Sequence, residues 1–169
     1  MATIHKFLGK RVEVPEDRNY YAPQGIWAKV EDRELLAGLT EPALVLLGGL
    51  NGLDWLVPQG QRVDQDQAVI FAITGKILYL NSPINGVIHF NDQAKQDVDL
   101  VLNSPYDQGW LFKIKTHSDP DKALANLVDA QAYIESLKGT EGFKNPDGLK
   151  GGVSGMCKAV YSGIRDQDI

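Results

Sequence analysis

The chain has one cysteine, Cys157, among its 169 residues, and that scarcity removes whole classes of chemistry. A single thiol builds neither an internal disulfide framework nor a four-thiolate metal or cluster site, so the core must hold by packing alone. The three histidines, His5, His89 and His117, lie far apart and lack acidic or thiol neighbours at metal-ligand spacing. The one exception is HSDPD over 117–121, which reads as a helix start. No apolar run is long enough to cross a bilayer, and the opening MATIHKFLGKRVEVPEDRNYY has no continuous apolar stretch of the secretory kind. Basic clusters are missing too, and a formal net charge of -5 with a pI near 5.1 leaves no general surface for a polyanion. These absences predict a cytoplasmic protein with neither a membrane nor a nucleic-acid partner. GLNGLDW and TGK lack the spacing of a phosphate-cradling loop, and no G-x-S-x-G elbow occurs, so no catalytic residue is assigned.

What remains is ordinary globular composition, 43% hydrophobic and 23% charged, with short strand-like runs over the first hundred residues. GIWAKVE (25–31) and ELLAGL (34–39) flank Asp32-Arg33 as a hairpin would. In LTEPALVLLGG, Thr40 can cap a helix, Glu41 and Pro42 suit its first turn, and Gly48-Gly49 can end it. AVIFAI (68–73), ILYLNSP (77–83) and NGVIHF (85–90) are closely spaced strands of a sandwich or barrel, and GWLFKIK (109–115) closes the β region. Two helical stretches follow, SDPDKALANL (118–127) with Ser118 as cap and DAQAYIESL (129–137). Residues 139–152 hold five glycines and one proline and read as a linker. Beyond it Cys157, Val160 and Ile164, with Tyr161 adjacent, predict a short amphipathic helix over 153–169. Cys157 reads there as a packing residue, with a redox or docking role the alternative.

Thr74-Gly75-Lys76-Ile77 fits a two-residue turn with Gly75 at the first central position, where φ is positive. The apolar runs on either side predict strands buried on both faces, so that Lys76 is held out from a rigid platform. By itself a Gly-Lys turn is ordinary hairpin chemistry.

Over residues 19–138 the chain resembles the H protein of the glycine cleavage system, a lipoyl-lysine carrier. NYYAPQGIWAKVEDRELLAGLTEPALVLLG is similar to that family's opening strands and first helix. SPINGVI (82–88) is similar to the strand after its lipoyl hairpin, and LNSPYDQGWLFKIK with DAQAYIESL to its C-terminal signature. The resemblance implies a mainly β fold, a barrel-sandwich hybrid of the lipoyl/biotinyl kind with a short internal helix and C-terminal helices. The carrier domain would span 1–138. It implies a cofactor carrier without catalysis of its own, bearing lipoate covalently on Lys76. Its partners would be a lipoylating enzyme and the glycine-cleavage enzymes.

Three departures accompany the resemblance. Counting forward from Gly60, Lys76 falls on the lipoyl position; counting back from Ser82-Pro83, Gly75 does, so the hairpin is one residue short between its tip and Ser82. Ile73 stands where the family usually has a glutamate three residues before the lysine, and Gly25 replaces a histidine two residues before Trp27. With the added tail, these departures are similar to the lipoate-binding proteins that serve a heterodisulfide-reductase-like complex in sulfur oxidation. The alternative is an unlipoylated paralogue acting as a protein-interaction module.

Overall fold

The computed structural model describes residues 1–149; the helix expected over 153–169, and Cys157 with it, lies outside the described residues. In chain order the elements are β1 (Ala2–Phe7), β2 (Lys10–Val14), β3 (Asn19–Tyr21), β4 (Ile26–Glu31), β5 (Glu34–Leu39), α1 (Glu41–Leu47), β6 (Gly52–Trp55), β7 (Gln61–Val63), β8 (Ala68–Ile73), β9 (Ile77–Asn81) and β10 (Gly86–Phe90), then α2 (Asp92–Gln96), α3 (Val98–Asn103), β11 (Phe112–Lys115), α4 (Pro120–Leu124), α5 (Ala130–Leu137) and α6 (Glu141–Lys144). A six-stranded sheet runs β3-β4-β5-β11-β10-β7, and a three-stranded sheet runs β6-β8-β9. Alternate side chains of the two sheets, among them Leu35, Ala37, Ile88 and Ile114 from one and Leu53, Ile70, Ala72 and Leu80 from the other, meet in an apolar core.

Local chemistry explains most elements. In the β4–β5 hairpin Glu31 pairs with Glu34, and both intervening residues take positive φ, Asp32 at 53° and Arg33 at 65°, the turn whose twist matches paired strands. The Thr40 side chain caps α1 by accepting from the Ala43 N–H at 3.1 Å, and Gly48 ends it at φ 74°. In α4 the cap is Asp119, not Ser118, and the helix is only five residues long. Pro120 forces this, since its ring suits the first turn but bars the residue before it from helical geometry.

A second core lies at one end of the sandwich. β1 and β2 form a separate hairpin whose Phe7, Val12 and Val14 pack with Tyr20, Trp27, Tyr133 and Leu137. The segment read as a linker begins inside this core: over 141–144 the chain forms α6, Phe143 meets Phe7 edge-on at 5.7 Å, and the Leu8 N–H donates to the Gly142 carbonyl at 3.1 Å. Its glycine content is therefore partly a packing requirement, because a side chain at Gly142 would meet the Phe7 ring at 2.1 Å.

Candidate functional site

β8 and β9 form the hairpin that carries Lys76, and their register differs from the two-residue turn expected. Ile73 pairs with Ile77, which leaves a three-residue connection with Gly75 at its apex. Gly75 is not among the residues with positive φ. Thr74 sets this geometry: its N–H donates to the Lys76 carbonyl at 2.8 Å, and its buried hydroxyl accepts from the Lys76 N–H at 3.1 Å. The hydroxyl also donates to the Lys76 carbonyl at 3.1 Å. Serine and threonine hydroxyls close turns in this way, so Thr74 is the sequence signal for the turn's closure, one that the two-residue reading passed over.

Two side chains distant in sequence brace the hairpin. The Asn51 N–H donates to the Ile73 carbonyl at 2.8 Å, and its amide nitrogen reaches the Thr74 carbonyl at 3.3 Å. Gln24 fastens the free edge of β9, donating to the Tyr79 carbonyl at 2.9 Å and accepting from the Asn81 N–H at 2.7 Å. It occupies the place of a neighbouring strand, which protects an otherwise open edge. Neither contact has a signal in the sequence.

Lower in the hairpin the register shifts: Ala68 lies opposite Asn81 and Ile70 opposite Leu80, so buried Val69 is an extra residue on the β8 side, a bulge. From there to the tip one face of the strands is buried, through Ile70, Ala72 and Leu80, while the other is open, with Ile73 42%, Ile77 62% and Tyr79 53% exposed. Burial on both faces, expected from the apolar runs, does not occur, because no layer covers the outer side of this sheet among the described residues. Lys76 stands exposed at the tip and makes no ion pair with a described residue, whereas Lys6, Lys29, Lys95 and Lys138 each pair with a carboxylate.

At the foot of the hairpin an open groove of about 530 Å³ is lined by Leu78, Leu80, Leu46, Leu47, Leu137 and Tyr133 among others, none of them charged. Gly25 borders it at φ 65°, and a side chain there would meet Ala43 Cβ at 2.7 Å and the Tyr133 hydroxyl at 2.8 Å. A histidine has no room at this position. The Tyr133 hydroxyl lies 2.7 Å from Thr40 Oγ1, and burial, only partly offset by that bond, pushes its pKa up to about 12.

The described residues hold no cluster of histidine, cysteine or carboxylate groups able to bind a metal ion, and no described helix is long and apolar enough to cross a membrane. In the bent loop at His117 the ring Nε2 lies 2.9 Å from an Arg62 guanidinium nitrogen.

Known proteins match this architecture over the same span. The family model for the glycine cleavage H-protein matches residues 18–140. Glycine cleavage system H protein 5 of Aquifex aeolicus is 35% identical over 134 residues, covering 75% of this chain and 88% of the relative. The glycine cleavage system H protein of Aeromonas hydrophila is 34% identical over 116 residues, 67% of this chain and 88% of its own. Among solved structures, the crystal structure of a glycine cleavage system H protein from Mycobacterium marinum superposes with a TM-score of 0.61 at 25% identity, covering 72% of this chain and 97% of that one. The two packed sheets are thus the barrel-sandwich hybrid of lipoyl and biotinyl domains.

Proposed function

The chain belongs to the glycine cleavage H-protein family, a family of lipoyl carriers, and on that premise we propose that its lipoyl group is attached to Lys76. The observation that carries this reading is the tip itself: an exposed lysine without an ion-pair partner among the described residues, on a turn closed by Thr74 and braced by Asn51. The Val69 bulge supports the register, since an extra residue on β8 is how a strand pair takes up a one-residue deficit on β9.

The surroundings fit the cofactor. A primary amine held away from carboxylates is available for acylation, and the uncharged groove beside β9 suits an aliphatic arm. When bound, the lipoyl disulfide supplies redox and group-carrying chemistry. The residues of this chain hold the backbone of Lys76 in a closed turn and leave solvent access around its side chain. The protein then acts as a carrier without catalysis of its own, in the cytoplasm, modified by a lipoylating enzyme and visiting the glycine-cleavage enzymes. Tethering raises the effective concentration of its cargo at each partner site. The relatives named above are glycine-cleavage proteins and lend no support to a heterodisulfide-reductase-like partner in sulfur oxidation.

Intact mass and peptide mapping of protein produced with its own lipoylating enzymes test the assignment. One lipoyl increment is expected, on the peptide containing Thr74-Gly75-Lys76, and none in Lys76→Arg. An increment on another lysine, or none in the wild type, overturns it.

A further inference from the structure

The outer face of β8–β9 is what the carrier reading leaves unused. Directly opposite residues of an antiparallel pair share a face, so the pairs Ile73–Ile77 and Phe71–Tyr79 form one continuous patch below the tip. Phe71 and Tyr79 meet edge-on at 5.9 Å. Across β6, Gly52 pairs with Ile73 and adds no side chain; Ile73 Cδ1 lies 3.4 Å from where one would begin. The patch ends at Asp54, whose charge Lys95 neutralises at 2.8 Å. Single exposed apolar residues are normal on a protein surface, but a contiguous group around one reactive side chain marks an interaction site. Leu46, Leu56, Leu102 and Leu149 are also exposed and belong to other elements or loops.

Charge identifies the partner. Between residues 68 and 84 the chain has one charged residue, Lys76. We infer that the face made by Phe71, Ile73, Ile77 and Tyr79 is the docking surface for the enzyme that acylates Lys76, and that this enzyme offers an apolar surface around a single acidic group. The inference rests on Lys76 being the attachment point. Acylation forms one N–C amide bond at Nζ and breaks the bond between the acyl carbon and its activating group. That group leaves with the bonding pair, and the ammonium gives up two protons. The amide is neutral, so the hairpin loses its only charge on modification. The acidic group of the enzyme then faces no cation, which favours release of the modified carrier over the unmodified one. Recognition by apolar area also predicts weak dependence on salt, because screening acts on the one charge and not on the patch.

The test uses the full unmodified chain, lipoate, ATP and a purified lipoate–protein ligase that modifies the wild type. Ile73→Ser and Ile77→Ser should each raise KM about tenfold, the size of a well-buried interface contact, with kcat little changed and thermal unfolding unaltered. Leu102→Ser, an exposed residue of α3 beside the N-terminal hairpin and α1, should behave as wild type. Ile73→Glu should weaken modification as well. Lys76→Arg should inhibit modification of the wild type competitively, and adding Ile73→Ser and Ile77→Ser to it should abolish that inhibition. Wild-type KM in the serine variants, or faster modification of Ile73→Glu, overturns the inference while leaving Lys76 as the attachment point. If the serine variants change only self-association, the face belongs to a second copy, and the inference is again overturned. A wild type that gains lipoate elsewhere than Lys76 removes the carrier assignment itself.

Discussion

The two cores of this protein are built from different chemistry. The larger one, beneath the β8–β9 hairpin, is made of aliphatic side chains with Phe90 and Phe112, and none of its buried members is ionisable. The smaller one mixes aliphatic side chains with the rings of Phe7, Tyr20, Trp27 and Tyr133, and its polar ends are tied down: Trp27 Nε1 donates to the Pro105 carbonyl at 2.9 Å, the Tyr20 hydroxyl to the Pro15 carbonyl, and the Tyr106 hydroxyl to the Glu13 carbonyl. Glu41 joins the same knot, its carboxylate accepting from the Glu13 N–H at 2.8 Å. Shape alone suffices where sheet packs on sheet. Where the N-terminal hairpin, α1 and α5 meet without a shared sheet, directional bonds from tyrosine and tryptophan fix their relative positions. The smaller core also reaches beyond the family-matched span of 18–140, through β1, β2 and α6.

Large-to-small substitutions should break the two cores in different ways. Trp27→Ala removes a fully buried ring over which the Arg18 guanidinium lies at 4.7 Å, and should cost about 3–5 kcal/mol. Ile70→Ala, in the larger core, should cost about 2–5 kcal/mol. Denaturant unfolding gives the losses, and amide exchange separates the sites: Ile70→Ala should loosen amides of β8 and β9, Trp27→Ala those of β1 and β2.

High pH should act most strongly on the smaller core, since the larger one has only Tyr21 among raised phenols packed against it. Burial raises the pKa of Tyr20, Tyr106 and Tyr133, that of Tyr133 to about 12, so the fold favours the protonated phenol. An acid whose folded pKa lies above its unfolded value near 10 contributes stability that is intact below pH ~10 and lost as pH rises through the folded pKa. For Tyr133 the loss amounts to about 2–3 kcal/mol. Alkaline titration followed by unfolding should show it, and Tyr133→Phe should flatten part of the slope between pH 10 and about 12.

The smallest effects are single hydrogen bonds. At neutral pH Tyr133→Phe should cost about 1 kcal/mol, since Thr40 loses one partner but keeps its capping bond to Ala43. Thr74→Ala should cost a similar ~1 kcal/mol yet slow lipoylation, because it releases the turn that aims Lys76; an unaltered rate would mean that the threonine bonds do not position the lysine.

Elements with local signals were legible in the sequence. The Asp32-Arg33 hairpin, the Thr40 cap with Gly48 stop, and α5 behind Asp129 all lie where residue chemistry puts them. The N-terminal hairpin escaped because its turn places Leu8 at φ 52°, a conformation that nothing about leucine announces. At the site, Lys76 was legible as the tip residue. The turn around it was misjudged because glycine suggested a positive φ, whereas register is set by Val69, seven residues upstream of the lysine. The open outer face was hidden for a related reason: continuous apolar runs ordinarily mean two buried faces, and a face kept apolar for a partner reads identically. Gln24 and Asn51 act through folds of the chain that no local pattern encodes.

The central claim is that the fold fixes where on the hairpin the lysine stands, and moving it by one position tests that most directly. The double variant Gly75→Lys/Lys76→Gly keeps the composition, and a side chain at position 75 meets nothing within 4 Å and needs no positive φ. Its stability should therefore match the wild type. Under conditions in which the lipoylating enzyme modifies the wild type to completion, mass spectrometry should find the swapped chain unmodified or modified at least about tenfold more slowly, as expected when a reacting group is displaced from its aligned position. Equal modification of both chains would contradict the claim, because any lysine offered by the turn would then serve.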